Sequence, residues 1–330
     1  MTLDLVRLPK AELHLHIEGT LEPETVMELA DANHVALPYP DEDALRAAYS
    51  FGNLQEFLNL YYAAMATLRT ASDFYTMASR YYARAAAQGV AHAEIFLDPQ
   101  AHVSRGVHFD VMLEGIEQAV ADAETEHGIT GGIIACILRD RPVAEAMDTY
   151  EHVLKHRDRF IGIGLDSAER PYPPELFADV FARAGRDGFK RVAHAGEEGP
   201  PAYIRTALDL LGVDRIDHGI RAAEEPELVA RLAADGVPLT VCPLSNLALK
   251  TVPDLVRHPL LALLDAGVNV TINSDDPAYF GGYVANTYLA MRVAGMTDAQ
   301  AVALAHNSVE ASFAEPSRKA VLHRAIDRAS

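Results

Sequence analysis

Cysteine is scarce in this 330-residue chain: there are two, Cys136 and Cys242, far apart and in apolar surroundings. That argues against a disulfide scaffold or a cysteine-rich metal site and predicts a reducing, cytoplasmic setting. Long apolar runs are missing too. No segment approaches the ~18 consecutive apolar residues of a membrane span. The opening MTLDLVRLPK lacks the apolar stretch of a secretory signal, so neither a membrane partner nor export is expected. Basic residues are few: 28 Lys and Arg stand against 47 Asp and Glu, a formal net charge of −19. Such a surface disfavours nucleic acid or anionic lipid as the partner. Linkers, low-complexity tracts and short repeats are also absent, so one domain over residues 1–330 is expected. The oligomeric state has no signature in the sequence.

What the chain does have is a rhythm. Short runs rich in Val, Ile and Leu recur as ELHLHI (12–17), HAEIFLDP (92–99), GGIIACILR (131–139) and FIGIGLD (160–166). RVAHAGE (191–197), RIDHG (215–219), PLTVCPLS (238–245) and NVTINSDDP (269–277) follow. Several lack polar alternation, as strands buried on both faces do. Amphipathic helical patterns lie between them, for example 109–128 and 225–236, the latter with a glycine stop. Eight strands alternating with helices predict an α/β fold of the (β/α)8 TIM-barrel type, whose core takes about 250 residues. The excess falls at residues 18–91, which read as a helical insertion between strands one and two, at the barrel mouth. A doubly wound open sheet is the structural rival.

In a barrel the chemistry sits at the C-terminal strand ends. Here those ends carry His14 and His16, Asp98, Asp166, His194 with Glu197, Asp217 and His218, Ser245, then Asp275 and Asp276. With 14 histidines in the chain, one at a strand end would mean little; imidazoles and carboxylates at five or more ends indicate a site. His14 and His16, two apart on a strand, point to one face with Cα atoms roughly 6.5 Å apart. Alone, the pair is equally well read as packed core. Joined by His194 and Asp275, it makes a donor set for Zn²⁺ or another borderline divalent ion, with a position left for water. Glu197, three residues after His194 at a glycine-rich turn, can stand beside a metal and shuttle protons. The alternative, a surface turn glutamate, suits Glu198 better. His218 reads either as a core histidine or as a group orienting an attacking hydroxide. Asp275 and Asp276 are adjacent, so on a strand one would reach the metal while the other turned elsewhere, such as to a ring nitrogen.

ELHLHIEGTLEPET, HAGEEG, DHGIR, CPLSN and INSDDPAYF, in that order between about residues 8 and 310, resemble the adenosine/adenine deaminase family of metal-dependent hydrolases. The resemblance implies a (β/α)8 barrel holding one zinc per chain, which replaces the 6-amino group of a purine by oxygen in purine salvage. It implies His14, His16, His194 and Asp275 as zinc ligands and Glu197 as the proton shuttle to purine N1. It further implies that His218 orients the hydroxide, that Asp276 bonds purine N7, and that Gly19 lies against the substrate. The H-x-E and P-C-x-x-C signature of cytidine-type zinc deaminases is absent.

Base or nucleoside turns on one stretch. The adenosine branch ends its fourth strand in a D-L-A-G-D/E type segment, whereas this chain reads GLDSAER (164–170) and puts Asp166 and Ser167 there. A carboxylate near N3 and N9 suits a free base, whose N9–H it accepts, so the resemblance points to the adenine branch. Asp166 could instead cap a helix or pair with Arg170. Adenosine and N6-substituted adenines are the alternative substrates, and FGNLQEFLNLYYAAMATLRT (51–70) could wall the pocket or be plain core. A two-metal hydrolase would want a lysine at the end of strand four, which is missing. A non-enzymatic binding protein on this fold would not need the ligand set and shuttle together.

Overall fold

A computed structural model describes residues 3–51 and 54–330. Its strands are β1 (Lys10–Glu12), β2 (Val90–Leu97), β3 (Thr130–Leu138), β4 (Gly162–Asp166), β5 (Lys190–Ala195), β6 (Arg215–His218), β7 (Leu239–Val241) and β8 (Val270–Ile272). They form one sheet in sequence order, each parallel to the next. That is the predicted eight-stranded barrel rather than the doubly wound sheet, in which strand order reverses.

The first strand is shorter than 12–17 and starts earlier, and its histidines lie beyond it. After Glu12 the chain crosses to the far edge and closes the barrel by itself. The N–H of Asp275 donates to His14 O at 3.1 Å, the N–H of His16 donates to Asp275 O at 3.1 Å, and the N–H of Phe96 donates to Leu15 O at 2.8 Å. Asn273 Oδ1 accepts from the Leu13 N–H at 2.9 Å, replacing a ladder bond that β8 does not reach. The seventh and eighth strands also end early. Pro243 opens the helix Pro243–Ala248, where a residue without an N–H costs nothing.

The insertion is helical as expected: α1 (Pro23–Ala32), α2 (Glu42–Ala48), α3 (Leu54–Met65) and α4 (Ala71–Ala87). Thr70 and Asp73 cap α4 reciprocally. The helix Phe109–His127 presents Gly115 to α4, and a Cβ there would stand 2.1 Å from the Ala71 carbonyl oxygen. Gly52 and Asn53, inside the stretch read as a possible wall, lie outside the described residues. Among the described residues, no helix is long and apolar enough to cross a membrane.

Alternation along the strands turns Phe96, Ile134, Cys136 and Val192 inward as a buried apolar cluster. The Phe96 ring centroid lies 5.1 Å from those of both His14 and His16, so this layer is a floor for what stands above. On the same inward rows Arg215 Nη1 meets Glu94 Oε2 at 2.7 Å, both fully buried.

Candidate active site

The strand ends converge on a cavity with about 460 Å³ of empty space, its open mouth included. His16, Asp166, Ser167, His194, Glu197, His218, Asp275 and Asp276 line it. From α3 come Phe57, Leu58, Tyr61 and Tyr62, so that part of residues 51–70 is a pocket wall.

The predicted ligands gather around Asp275 and His194. His14 Nε2 is 3.3 Å and His16 Nε2 3.6 Å from Asp275 Oδ1, and His16 Nε2 is 3.2 Å from His194 Nε2. His14 Nε2 is buried with no hydrogen-bond partner, as an atom reserved for an ion would be. His14, His194, His218 and Asp275 also fall within ligating reach of one another, as do His16, Asp275 and Asp276. The sets differ in direction: His14 and His16 face Oδ1, whereas His218 Nε2 stands 3.6 Å from Oδ2 and 3.6 Å from Glu197 Oε2. Three imidazole nitrogens and one carboxylate oxygen fit a tetrahedral or five-coordinate divalent ion.

Backbone strain marks the same place. Ser167, His218 and Asp275 have φ of 67°, 59° and 66°, left-handed values that cluster at functional sites when the residue is not glycine. Asp275 and Asp276 do not point apart as strand neighbours would, because both lie beyond β8 and the left-handed turn at Asp275 brings both carboxylates to the cavity.

Electrostatics divide the carboxylates. Burial pushes Asp275 up, but His14, His218 and His16 together hold it well below the ordinary range. Burial, then Asp275, drives both Glu197 and Asp276 well above it. Burial brings His16 and His218 down to about 3, leaving them neutral. Burial, with Asp98 adding, raises Asp166 well above its usual value.

Two residues outside the predicted set fix Glu197. Glu169 accepts from the N–H groups of Gly196 (3.0 Å), Glu197 (2.8 Å) and Gly199 (3.0 Å), and so ties down the loop after β5. Asn246 donates to Glu197 Oε1 at 3.1 Å. Both lie in quoted stretches, GLDSAER and CPLSN, yet nothing in a sequence says which distant amide a side chain will meet. Asp166 neither caps a helix nor pairs with Arg170: its Oδ2 faces His16 Nδ1 at 3.5 Å, and its Oδ1 is buried. Gly19 lies behind Asp276 rather than on the cavity surface, and a Cβ there would stand 2.1 Å from Asp276 Oδ1. Ser245 is buried away from the cavity.

A family model described as adenosine deaminase matches residues 9–329. The chain belongs to the adenosine deaminase family. An adenine deaminase from Streptomyces coelicolor is 57% identical over 312 residues, 94% of this chain and 92% of that one. The crystal structure of an adenine deaminase from Arthrobacter aurescens superposes with a TM-score of 0.95 at 50% identity, covering 97% of this chain and 98% of that one. An amidohydrolase from Burkholderia ambifaria, described with bound Zn, superposes with a TM-score of 0.91 at 30% identity, covering 98% and 92%. Membership in this family fits what the cavity holds: histidines and a carboxylate that could hold a metal, beside a buried carboxyl whose pKa is pushed up.

Proposed function

We propose that this protein is an adenine deaminase, converting adenine and water to hypoxanthine and ammonia with one Zn²⁺ held by His14, His16, His194 and Asp275. A zinc ion held by that donor set would act as a Lewis acid that activates water as a nucleophile at neutral pH. Glu197, its pKa raised by burial and Asp275, gives its proton to purine N1, which makes C6 electrophilic; it then moves a proton from the incoming oxygen to the departing nitrogen. His218, neutral and between Glu197 and Asp275, orients that oxygen. Asp276, its pKa likewise raised, donates to N7. Water enters as H and OH, and nitrogen leaves as ammonia.

The observation that carries adenine over adenosine is Asp166 Oδ1, buried in the cavity wall beside Ser167, where the Asp98 carboxyl is the neighbouring group that acts on it. The N9–H of a free base donates to it. A ribose at N9 removes that proton and with it that bond, at a cost of roughly 1–3 kcal/mol. The adenine deaminases among its relatives support the same reading. Ammonia release from adenine, adenosine and N6-methyladenine, measured side by side, tests it: adenine is expected to react fastest by at least tenfold in kcat/KM. Faster turnover of adenosine would refute the role given to Asp166.

A further inference from the structure

A neutral imidazole carries one N–H, so Nε2 offers its lone pair to a metal only when the proton sits on Nδ1, and a buried Nδ1–H needs an acceptor. Behind two of the four ligands that acceptor traces to Asp217. It lies on β6 just before His218 and two residues after Arg215, so alternation turns it into the barrel beneath the histidines. Its Oδ1 accepts the Thr240 hydroxyl proton at 2.7 Å. Thr240 Oγ1 in turn is 3.0 Å, and the Thr240 carbonyl oxygen 3.2 Å, from His14 Nδ1. A carbonyl only accepts, and the hydroxyl proton is already committed to Asp217. His14 Nδ1 is therefore the donor, and its Nε2 is left bare toward Asp275.

The other oxygen faces the second ligand. Asp217 Oδ2 and His194 Nδ1 are 3.6 Å apart, both buried, and neither has a hydrogen-bond partner among the described residues. Two complementary polar atoms left unpaired this deep are costly. A shift of well under 1 Å pairs them, of the kind that contacts near a metal undergo when ligands tighten.

We propose that Asp217 is a positioning residue of the metal centre: one carboxylate sets the tautomer and ring orientation of His194 directly and of His14 through Thr240. The proposal rests on the reading of His14 and His194 as ligands. Partners of this kind typically change metal affinity by 10–100-fold.

The test reads metal, not turnover. Chelator-stripped wild type, Asp217→Asn and Thr240→Val are titrated with Zn²⁺ against a chromophoric chelator, and the Co²⁺-loaded forms are compared by visible absorption. Asp217→Asn is expected to bind Zn²⁺ 10–100-fold more weakly, with altered Co²⁺ bands and the circular dichroism of the wild-type stripped form. Thr240→Val is expected to lose less, since it touches only the His14 branch. A folded Asp217→Asn protein with wild-type affinity and an unchanged Co²⁺ spectrum would overturn the proposal. If Asp217→Asn does not fold, Thr240→Val decides alone: weakened retention supports the proposal and wild-type retention overturns it. A His194→Ala control that kept full metal would sink the ligand reading itself, whichever purine is the substrate.

Discussion

Glu197 has its pKa pushed up by where it stands, no more than a tenth exposed and faced by Asp275, while an Asn246 amide fixes its position. Glu197→Gln keeps the shape and offers an amide N–H in place of the carboxyl O–H, but it can neither give up a proton nor take one back. It is expected to lower kcat by about 10²–10⁴-fold with metal content unchanged by elemental analysis. Gly19 is a steric matter of a different kind, since a methyl group there meets both Asp276 Oδ1 and, at 2.7 Å, the Asp276 Cα. Gly19→Ala is therefore expected to raise the KM for adenine, with a stability loss of roughly 1–3 kcal/mol in urea titration. At this scale the sequence was most legible. His16, His194, Glu197, Asp275 and Asp276 all line one cavity with His14 beside it, because strand-end position follows from pattern. Asp217, Glu169 and Thr240 were not assigned roles, because their partners lie on other strands and register is not written in local residues.

Among elements, the seam between β1 and β8 is the least regular and the most consequential. The stretch that supplies His14 and His16 also makes the hydrogen bonds that close the barrel, so ligand spacing there is set by closure rather than by an ideal strand. The helical insertion is held against the barrel through Gly115. Replacing a helix-interior glycine by alanine ordinarily gains up to about 1 kcal/mol. Here the new methyl would meet the Ala71 carbonyl oxygen and the Tyr75 backbone nitrogen, at 2.1 and 2.8 Å, and backbone does not yield cheaply. Gly115→Ala is expected to destabilise by roughly 1–3 kcal/mol in a chemical denaturation curve. Because α3 belongs to that insertion and lines the pocket, the same variant should also raise the KM for adenine. The existence of these helices was plain from composition. That α3 turns Tyr61 and Tyr62 into the pocket was not, since an apolar stripe looks alike over a core and over a ligand.

For the whole molecule, two buried charge systems couple stability to solution conditions. Burial pushes Glu94 up, but Arg215 and then His92 outweigh it and hold the carboxyl at about 2, against 4.5 when free. A depressed carboxylate stabilises the fold above its unfolded pKa, and that share is lost as pH falls from about 4.5 through 2. The share is roughly 3 kcal/mol, at about 1.4 kcal/mol per pKa unit. Glu94→Gln should flatten stability against pH in that window. It should also cost about 3–5 kcal/mol at neutral pH, because Arg215 is left charged and buried. The metal centre is the second system. Three imidazoles packed against the Asp275 carboxylate would favour the folded chain most with an ion bound, so chelation should lower the melting temperature. Added Zn²⁺ should restore both melting and ammonia release, with the shift growing as the logarithm of free metal.

The sequence by itself determined the barrel, the helical insertion, the candidate site residues and the family. Each follows from information that is local along the chain: period, strand-end position and short motifs. Tertiary structure alone decided how those residues serve one another. It set which nitrogens of His14, His16 and His218 face Asp275, which carboxyls are pushed up, and that Asp166 is buried in the cavity wall. Those properties depend on burial and on atoms hundreds of residues apart, and only the closed barrel brings them within a few ångströms.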